Sequence, residues 1–86
     1  MYFVYFLKSI STSFRYVGYT SNINQRLNEH NSGMNKSTKP YLPFELDAYI
    51  AVKTKEKAKA LEKYFKTGSG IAFARKRILT YVASAK

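Results

Sequence analysis

The sequence predicts an α+β domain with elements in the order ββαβαα, a small, mostly antiparallel sheet with helices packed on it. Two apolar, aromatic runs separated by a Ser/Thr-rich turn lie at the start of the chain. Three later segments carry apolar residues at helical spacing, and the first two open at good capping residues. The composition, 45% hydrophobic and 16% aromatic over 86 residues, is far too apolar for a disordered chain. That length suits one domain, expected over residues 1–83 with 84–86 as a tail.

Residues 2–8, YFVYFLK, read as a strand apolar on both faces. Ser9, Ser11, Thr12 and Ser13 mark a turn, and residues 14–20, FRYVGYT, complete a hairpin. Gly18 inside that second strand signals a bulge or a close backbone approach. Thr20, Ser21 and Asn22 can each cap a helix expected over Asn22–Asn31, with Gly33 as its stop. Residues 34–43, MNKSTKPYLP, form a polar, basic loop, and 44–52, FELDAYIAV, a third strand. Thr54 caps a second helix running to Lys66, which Gly68 and Gly70 are expected to end. A final helix over 71–83 presents Ala74, Ile78, Tyr81 and Val82 on one face.

Charge is the strongest global signal. Fifteen Lys and Arg oppose five Asp and Glu, a net charge of +10. Such a field draws in polyanions, and cations that neutralise phosphates gain free energy by releasing counterions. Nucleic acid is therefore the expected partner, DNA first with RNA also compatible. A membrane is not expected: no segment approaches the roughly 20 apolar residues of a spanning helix. MYFVYFLKS lacks the basic lead and cleavage site of a signal peptide. The absence of cysteine excludes a disulfide framework, a thiolate zinc site and a cysteine nucleophile. It fits a reducing compartment, and the cytoplasm is the expected location.

Several polar residues share faces that should pack inward. In the first helix Ile23, Leu27 and His30 form one stripe, with Arg26 four residues before His30. Taken alone, His30 reads best as a cation at a helix C-terminus, and Arg26 as an arginine laying its stem along the surface. In the second helix Ala58, Leu61 and Phe65 define the apolar stripe, and Glu62 lies on the same side, beside Lys55, Lys59, Lys63 and Lys66. Periodicity leaves two readings of Glu62 even: an ion-pair partner, or a ligand for an ion such as Mg²⁺, which needs only one or two carboxylates.

Tyr16-Val17-Gly18, followed by the helix bearing Arg26 and His30, resembles the second half of the GIY-YIG nuclease signature. Phe3-Val4-Tyr5 matches its first half, with Phe in place of the leading Gly, and ten residues lie between Tyr5 and Tyr16. RLNEHNSG, NKSTKPYLPFEL and ALEKYFKTGSG follow in the order found in small stand-alone bacterial members. The resemblance spans nearly the whole chain. It implies a three-stranded antiparallel sheet flanked by helices and metal-dependent hydrolysis of DNA phosphodiesters. Position by position, Tyr5 and Tyr16 match the motif tyrosines, Arg26 the arginine that contacts the scissile phosphate, His30 a place held by His or Tyr, and Glu62 the single metal ligand. The resemblance thus favours the ligand reading of Glu62. Two departures bear on catalysis rather than fold: Tyr19 stands where some relatives carry lysine, and no asparagine follows Glu62.

On this basis the chain is expected to be an endonuclease directed by DNA structure, in repair, recombination or related processing. Mg²⁺ or Mn²⁺ on Glu62 would stabilise the leaving oxygen, and Arg26 the phosphate charge. Tyr5, Tyr16 or His30 would handle the proton of the attacking water, nearby cations lowering the tyrosine pKa. Lys36, Lys39, Lys55, Lys59, Lys63, Lys66, Arg75, Lys76 and Arg77 are expected to track the phosphate backbone. The alternatives are a nucleic-acid-binding module of the same fold with little activity, and a basic structural protein of a ribonucleoprotein.

Overall fold

A computed structural model describes residues 1–80. Three strands, β1 (Tyr2–Ser9), β2 (Arg15–Thr20) and β3 (Phe44–Val52), form an antiparallel sheet in the order β2-β1-β3. Helices α1 (Ile23–Asn31), α2 (Lys55–Tyr64) and α3 (Gly68–Arg77) complete the domain, with a short 3₁₀ turn at Lys39–Tyr41. The α+β class, the three-stranded antiparallel sheet and the order ββαβαα are as the sequence predicted.

β1 is central because it alone is apolar on both faces. Val4, Tyr5, Phe6 and Leu7 are all buried, and alternate residues point to opposite sides. Val4 and Phe6 pack with Ala58, Phe65 and Ala74 beneath α2 and α3. Tyr5 and Leu7 pack with Phe44, Leu27 and Tyr41 on the α1 side. The sheet is thus the middle of three layers, and each face has its own core.

β3 departs from regular pairing at one residue. Phe6 pairs with Ala48 but Leu7 with Leu46, so Asp47 is the extra residue of a β-bulge. The bulge frees Asp47 to meet the end of α3. Its Oδ2 accepts from Arg15 Nη1 at 2.8 Å and from the Thr80 backbone N–H at 3.0 Å, while Arg15 Nη2 donates to the Thr80 carbonyl. Burial would raise the Asp47 carboxyl, but the hydrogen bonds from Thr80 and Arg15 outweigh it and hold the group below its ordinary value.

Asn22 caps α1 and Thr54 caps α2, each accepting from the backbone N–H three residues on. The start of α3 differs from expectation. Gly68 and Gly70 do not end α2, which closes at Tyr64 with Phe65 as its C-cap; they open α3, capped by Thr67. A Cβ on Gly70 would fall 1.9 Å from the Tyr64 carbonyl oxygen, so this glycine lets two successive helices turn back to back in three residues. The expected 71–83 helix also ends early. After Arg77 the Ile78 and Leu79 N–H groups both turn to the Ala74 carbonyl, and the Asp47–Arg15 clamp draws the chain away. Tyr81, Val82 and the tail at 84–86 lie outside the described residues.

The Asp47 clamp carries a pH signature. Its folded-state pKa lies below the ordinary 3.8, so its stabilisation is complete above that value. It is lost as acidification passes through the lower folded-state pKa, where the carboxylate takes up a proton. Asp47→Ala should cost roughly 1.5–3 kcal/mol at neutral pH and flatten the acid limb of a Tm-versus-pH curve.

Candidate active site

The register of the hairpin places the two signature tyrosines. Tyr5 pairs with Gly18 and Leu7 with Tyr16 across β1 and β2. Residues two apart share a face, so Tyr5 and Tyr16 are diagonal neighbours on the α1 side, their ring centroids 6.2 Å apart. Gly18 sits directly opposite Tyr5 and the tyrosine ring lies over it. A Cβ there would come within 2.5 Å of the Tyr5 hydroxyl oxygen and 3.1 Å of the Tyr16 ring. The glycine that looked out of place in a strand is the floor on which Tyr5 rests.

These residues open onto a cleft of about 470 Å³ along β2, lined by Tyr2, Tyr5, Tyr16, Gly18, Tyr19, Arg26, Lys55 and Glu62 among others. Arg26 comes from α1 on one face of the sheet, and Glu62 and Lys55 from α2 on the other. The Arg26 guanidinium is half exposed and its Nε lies 3.1 Å from Glu29 Oε1. Glu62 Oε2 lies 2.9 Å from Lys66 Nζ, which in turn stands 5.8 Å from the centre of the Tyr16 ring. The hydrogen bond from Lys66 to Glu62 raises the lysine pKa above its ordinary value.

His30 is not a helix-terminal cation. It is 1% exposed, sealed between α1, the 34–43 loop and the sheet. Its Nε2 lies 3.1 Å from the Tyr5 hydroxyl and its Nδ1 3.0 Å from the Thr38 hydroxyl. Burial, helped by the nearby Arg26 charge and opposed by Glu29, lowers its pKa, so the ring is neutral at physiological pH. Tyr5 also moves opposite to expectation. Its pKa is pushed up to about 12, chiefly by burial and then by Tyr16, and Arg26 only partly offsets this. The sequence suggested that neighbouring cations would favour the phenolate; taking the hydroxyl out of water outweighs them.

The remaining predicted cations scatter. Lys36 lines a second groove of about 380 Å³ with Arg26, Glu29, His30, Met34 and Asn35, so the two depressions meet at Arg26. Arg75 and Lys66 border an apolar groove between the hairpin and α3. Lys39, Lys59, Lys63, Lys76 and Arg77 are exposed and line neither the cleft nor the second groove. Thr38 went unnoticed in the sequence, where it is one hydroxyl in a polar loop with no periodicity to mark it.

The family model for the GIY-YIG catalytic domain matches residues 1–71, covering every element through α2. The chain belongs to the GIY-YIG family. No curated protein and no solved structure matches it at a significant level. A GIY-YIG domain implies nuclease-type activity on DNA, and GIY-YIG nucleases are generally dependent on a divalent metal. Among the described residues no three His, Cys, Asp or Glu side chains gather into a protein-only metal cage. The GIY-YIG cleft offers instead one carboxylate with open space before it. That donor set fits a hard, oxygen-seeking cation whose shell is completed by water and substrate phosphate. Lys66 would have to release the carboxylate. Among the described residues no helix is long and apolar enough to cross a membrane.

The Gly18–Tyr5 contact can be tested directly. Gly18→Ala should destabilise the fold by roughly 1–3 kcal/mol through overpacking and shift the resonances of His30. Unchanged urea stability together with an unchanged His30 spectrum would show that the Tyr5 ring can move aside.

Proposed function

We propose that this chain is a divalent-metal-dependent endonuclease that hydrolyses phosphodiester bonds in DNA. One observation carries the reading: Tyr5, Tyr16, Arg26 and Glu62, drawn from four different elements, line a single open cleft, with His30 hydrogen-bonded behind Tyr5. A purely structural role for these groups would not require them to converge on a solvent-filled space.

Arg26 receives the scissile phosphate. It exchanges its exposed pairing with Glu29, which is worth little in water, for charge-assisted bonds to phosphate oxygens. As negative charge builds on those oxygens the fixed guanidinium stabilises it. Glu62 would hold Mg²⁺ or Mn²⁺. When bound, that ion supplies Lewis-acid stabilisation of the departing alkoxide. Lys66, released from Glu62, remains near as a further cation for the backbone.

Tyr5 is the group that takes the proton from the attacking water, and its perturbed pKa defines how. A phenol with a pKa near 12 does not ionise first and wait. It passes its own proton to His30 Nε2 as it gains one from water, so neither a free phenolate nor a free imidazolium is formed in advance. Burial keeps His30 neutral and its lone pair available. Tyr16 closes the cleft on the other side.

Lys55 in the cleft, Lys36 in the adjoining groove and the exposed Lys39, Lys59, Lys63, Lys76 and Arg77 guide the backbone, as does Arg75. Contacts of this kind position a strand without reading bases. The substrate is therefore chosen by shape, as in DNA repair or recombination. The Glu62–Lys66 pair favours a second reading, a binding module of the same fold whose carboxylate is kept neutralised.

A cleavage panel of branched, single-stranded and duplex DNA and RNA separates the two. Glu62→Gln should reduce Mg²⁺- or Mn²⁺-dependent nicking by roughly 10²-fold or more while changing stability by under about 1 kcal/mol, the usual worth of an exposed pair. Metal-independent binding with no cleavage by wild type would establish the binding module. Affinity should fall roughly ten- to a hundredfold between about 50 and 200 mM salt if two to four phosphates are neutralised; a flat titration in a filter-binding assay would contradict the backbone-tracking role.

A further inference from the structure

We infer that Thr38 is a positioning residue that fixes the tautomer of His30, keeping the proton on Nδ1 and turning the Nε2 lone pair toward the Tyr5 hydroxyl. The inference rests on the reading that Tyr5 and His30 handle the proton of the attacking water.

A neutral imidazole has one N–H and one acceptor nitrogen, and its partners decide which is which. His30 has one hydroxyl partner at each nitrogen, Thr38 at Nδ1 and Tyr5 at Nε2. Hydroxyls both donate and accept, so the direction of the chain is set by the group beyond them. Beyond Thr38 is the Asn35 carbonyl, 3.3 Å from Thr38 Oγ1, which can only accept. The Thr38 O–H is thus spent on that carbonyl, and its oxygen is left to accept from the ring. Tyr5 O–H donates to Nε2, Nδ1–H to Thr38, and Thr38 O–H to the Asn35 carbonyl. The reverse order would turn the Thr38 O–H toward Nδ1 and take it from the Asn35 carbonyl.

Thr38 is built to hold this role. It is 0% exposed and immediately precedes the 3₁₀ turn. The Thr38 and Lys39 backbone N–H groups both return to the Asn35 carbonyl, so the residue cannot swing away from the ring. With no buried side-chain polar atom left unpaired among the described residues, the loop from 34 to 38 serves as a hydrogen-bonded back wall for one imidazole. When Tyr5 gives its proton to Nε2 and takes one from water, the ring becomes an imidazolium. Its existing Nδ1–H still points at the Thr38 oxygen, so the positive charge develops against an acceptor already in place. The net transfer is one proton from water to His30, and the hydroxide formed is the nucleophile.

The chain has a single histidine, so its two ring nitrogens can be assigned without ambiguity by long-range ¹H–¹⁵N correlation spectra of the full-length protein. Wild type near neutral pH should show the Nδ1–H tautomer, with Nε2 at an unprotonated shift. Thr38→Ser keeps the hydroxyl and should retain that pattern. Thr38→Val keeps the shape but cannot accept, and should populate the Nε2–H form. In the cleavage assay Thr38→Val should lower kcat roughly 10- to 100-fold, as expected for losing an imidazole's orienting partner, with DNA affinity unchanged and Thr38→Ser near wild type. A dominant Nε2–H form in wild type overturns the inference, as does a Thr38→Val spectrum indistinguishable from wild type. Should Val prove unfolded, wild type and Ser alone decide it. Absence of cleavage by wild type would instead remove the nuclease reading and leave the tautomer assignment standing.

Discussion

The site depends on one constraint: the Tyr5 hydroxyl is lodged between a strand that has no side chain at Gly18 and a helix that presents His30. Tyr5 belongs to the central strand, where Val4, Tyr5, Phe6 and Leu7 are all buried by their neighbours. A phenol in that position needs a partner for its hydroxyl, because leaving it unpaired costs about 1–3 kcal/mol. His30 supplies the partner, Gly18 supplies the room, and Thr38 satisfies the far side of the imidazole. Removing any one of these strains the others, so core and site share the same groups.

The two layers of the fold divide the chemistry. α1 and the loop after it bring Arg26, His30 and Thr38 to one face of the sheet, while α2 brings Glu62 and Lys55 around the β2 edge from the other. The cleft exists because β2 is the edge strand on that side, leaving space that neither helix covers. Arg26 therefore reaches the cleft from one layer and Glu62 and Lys55 from the other. The β-bulge at Asp47 contributes at a distance: it clamps the end of α3 to β2 through Arg15, which steadies the hairpin carrying both tyrosines.

Burial reverses the sequence expectation for two titratable groups. Counting charges along the chain suggests that a tyrosine among so many cations should ionise easily and that a histidine at a helix end should be charged. Both rules assume water around the group. Inside the α1-side core, desolvation dominates: Tyr5 is held as a phenol with a pKa near 12 and His30 as a neutral ring. These opposite shifts leave both groups uncharged at neutral pH.

Much of the architecture was legible in the sequence. The continuous apolar run at 2–8 marked a strand apolar on both faces, the caps at Asn22 and Thr54 marked helix starts, and the linked segments from Phe3-Val4-Tyr5 to ALEKYFKTGSG resembled the family. These features are local or periodic, and the chain carries them wherever it folds. What only the tertiary structure decided is set by contacts between distant residues. Gly68 and Gly70 looked like a helix stop until the Tyr64 carbonyl showed which backbone Gly70 must admit. The end of α3 depends on a carboxylate 33 residues earlier. Thr38 was one hydroxyl among several, because the imidazole it meets comes from another element. Propensity and period are written in neighbouring residues, but protonation, tautomer and the choice of cations that share a cleft arise from what three-dimensional packing excludes from water.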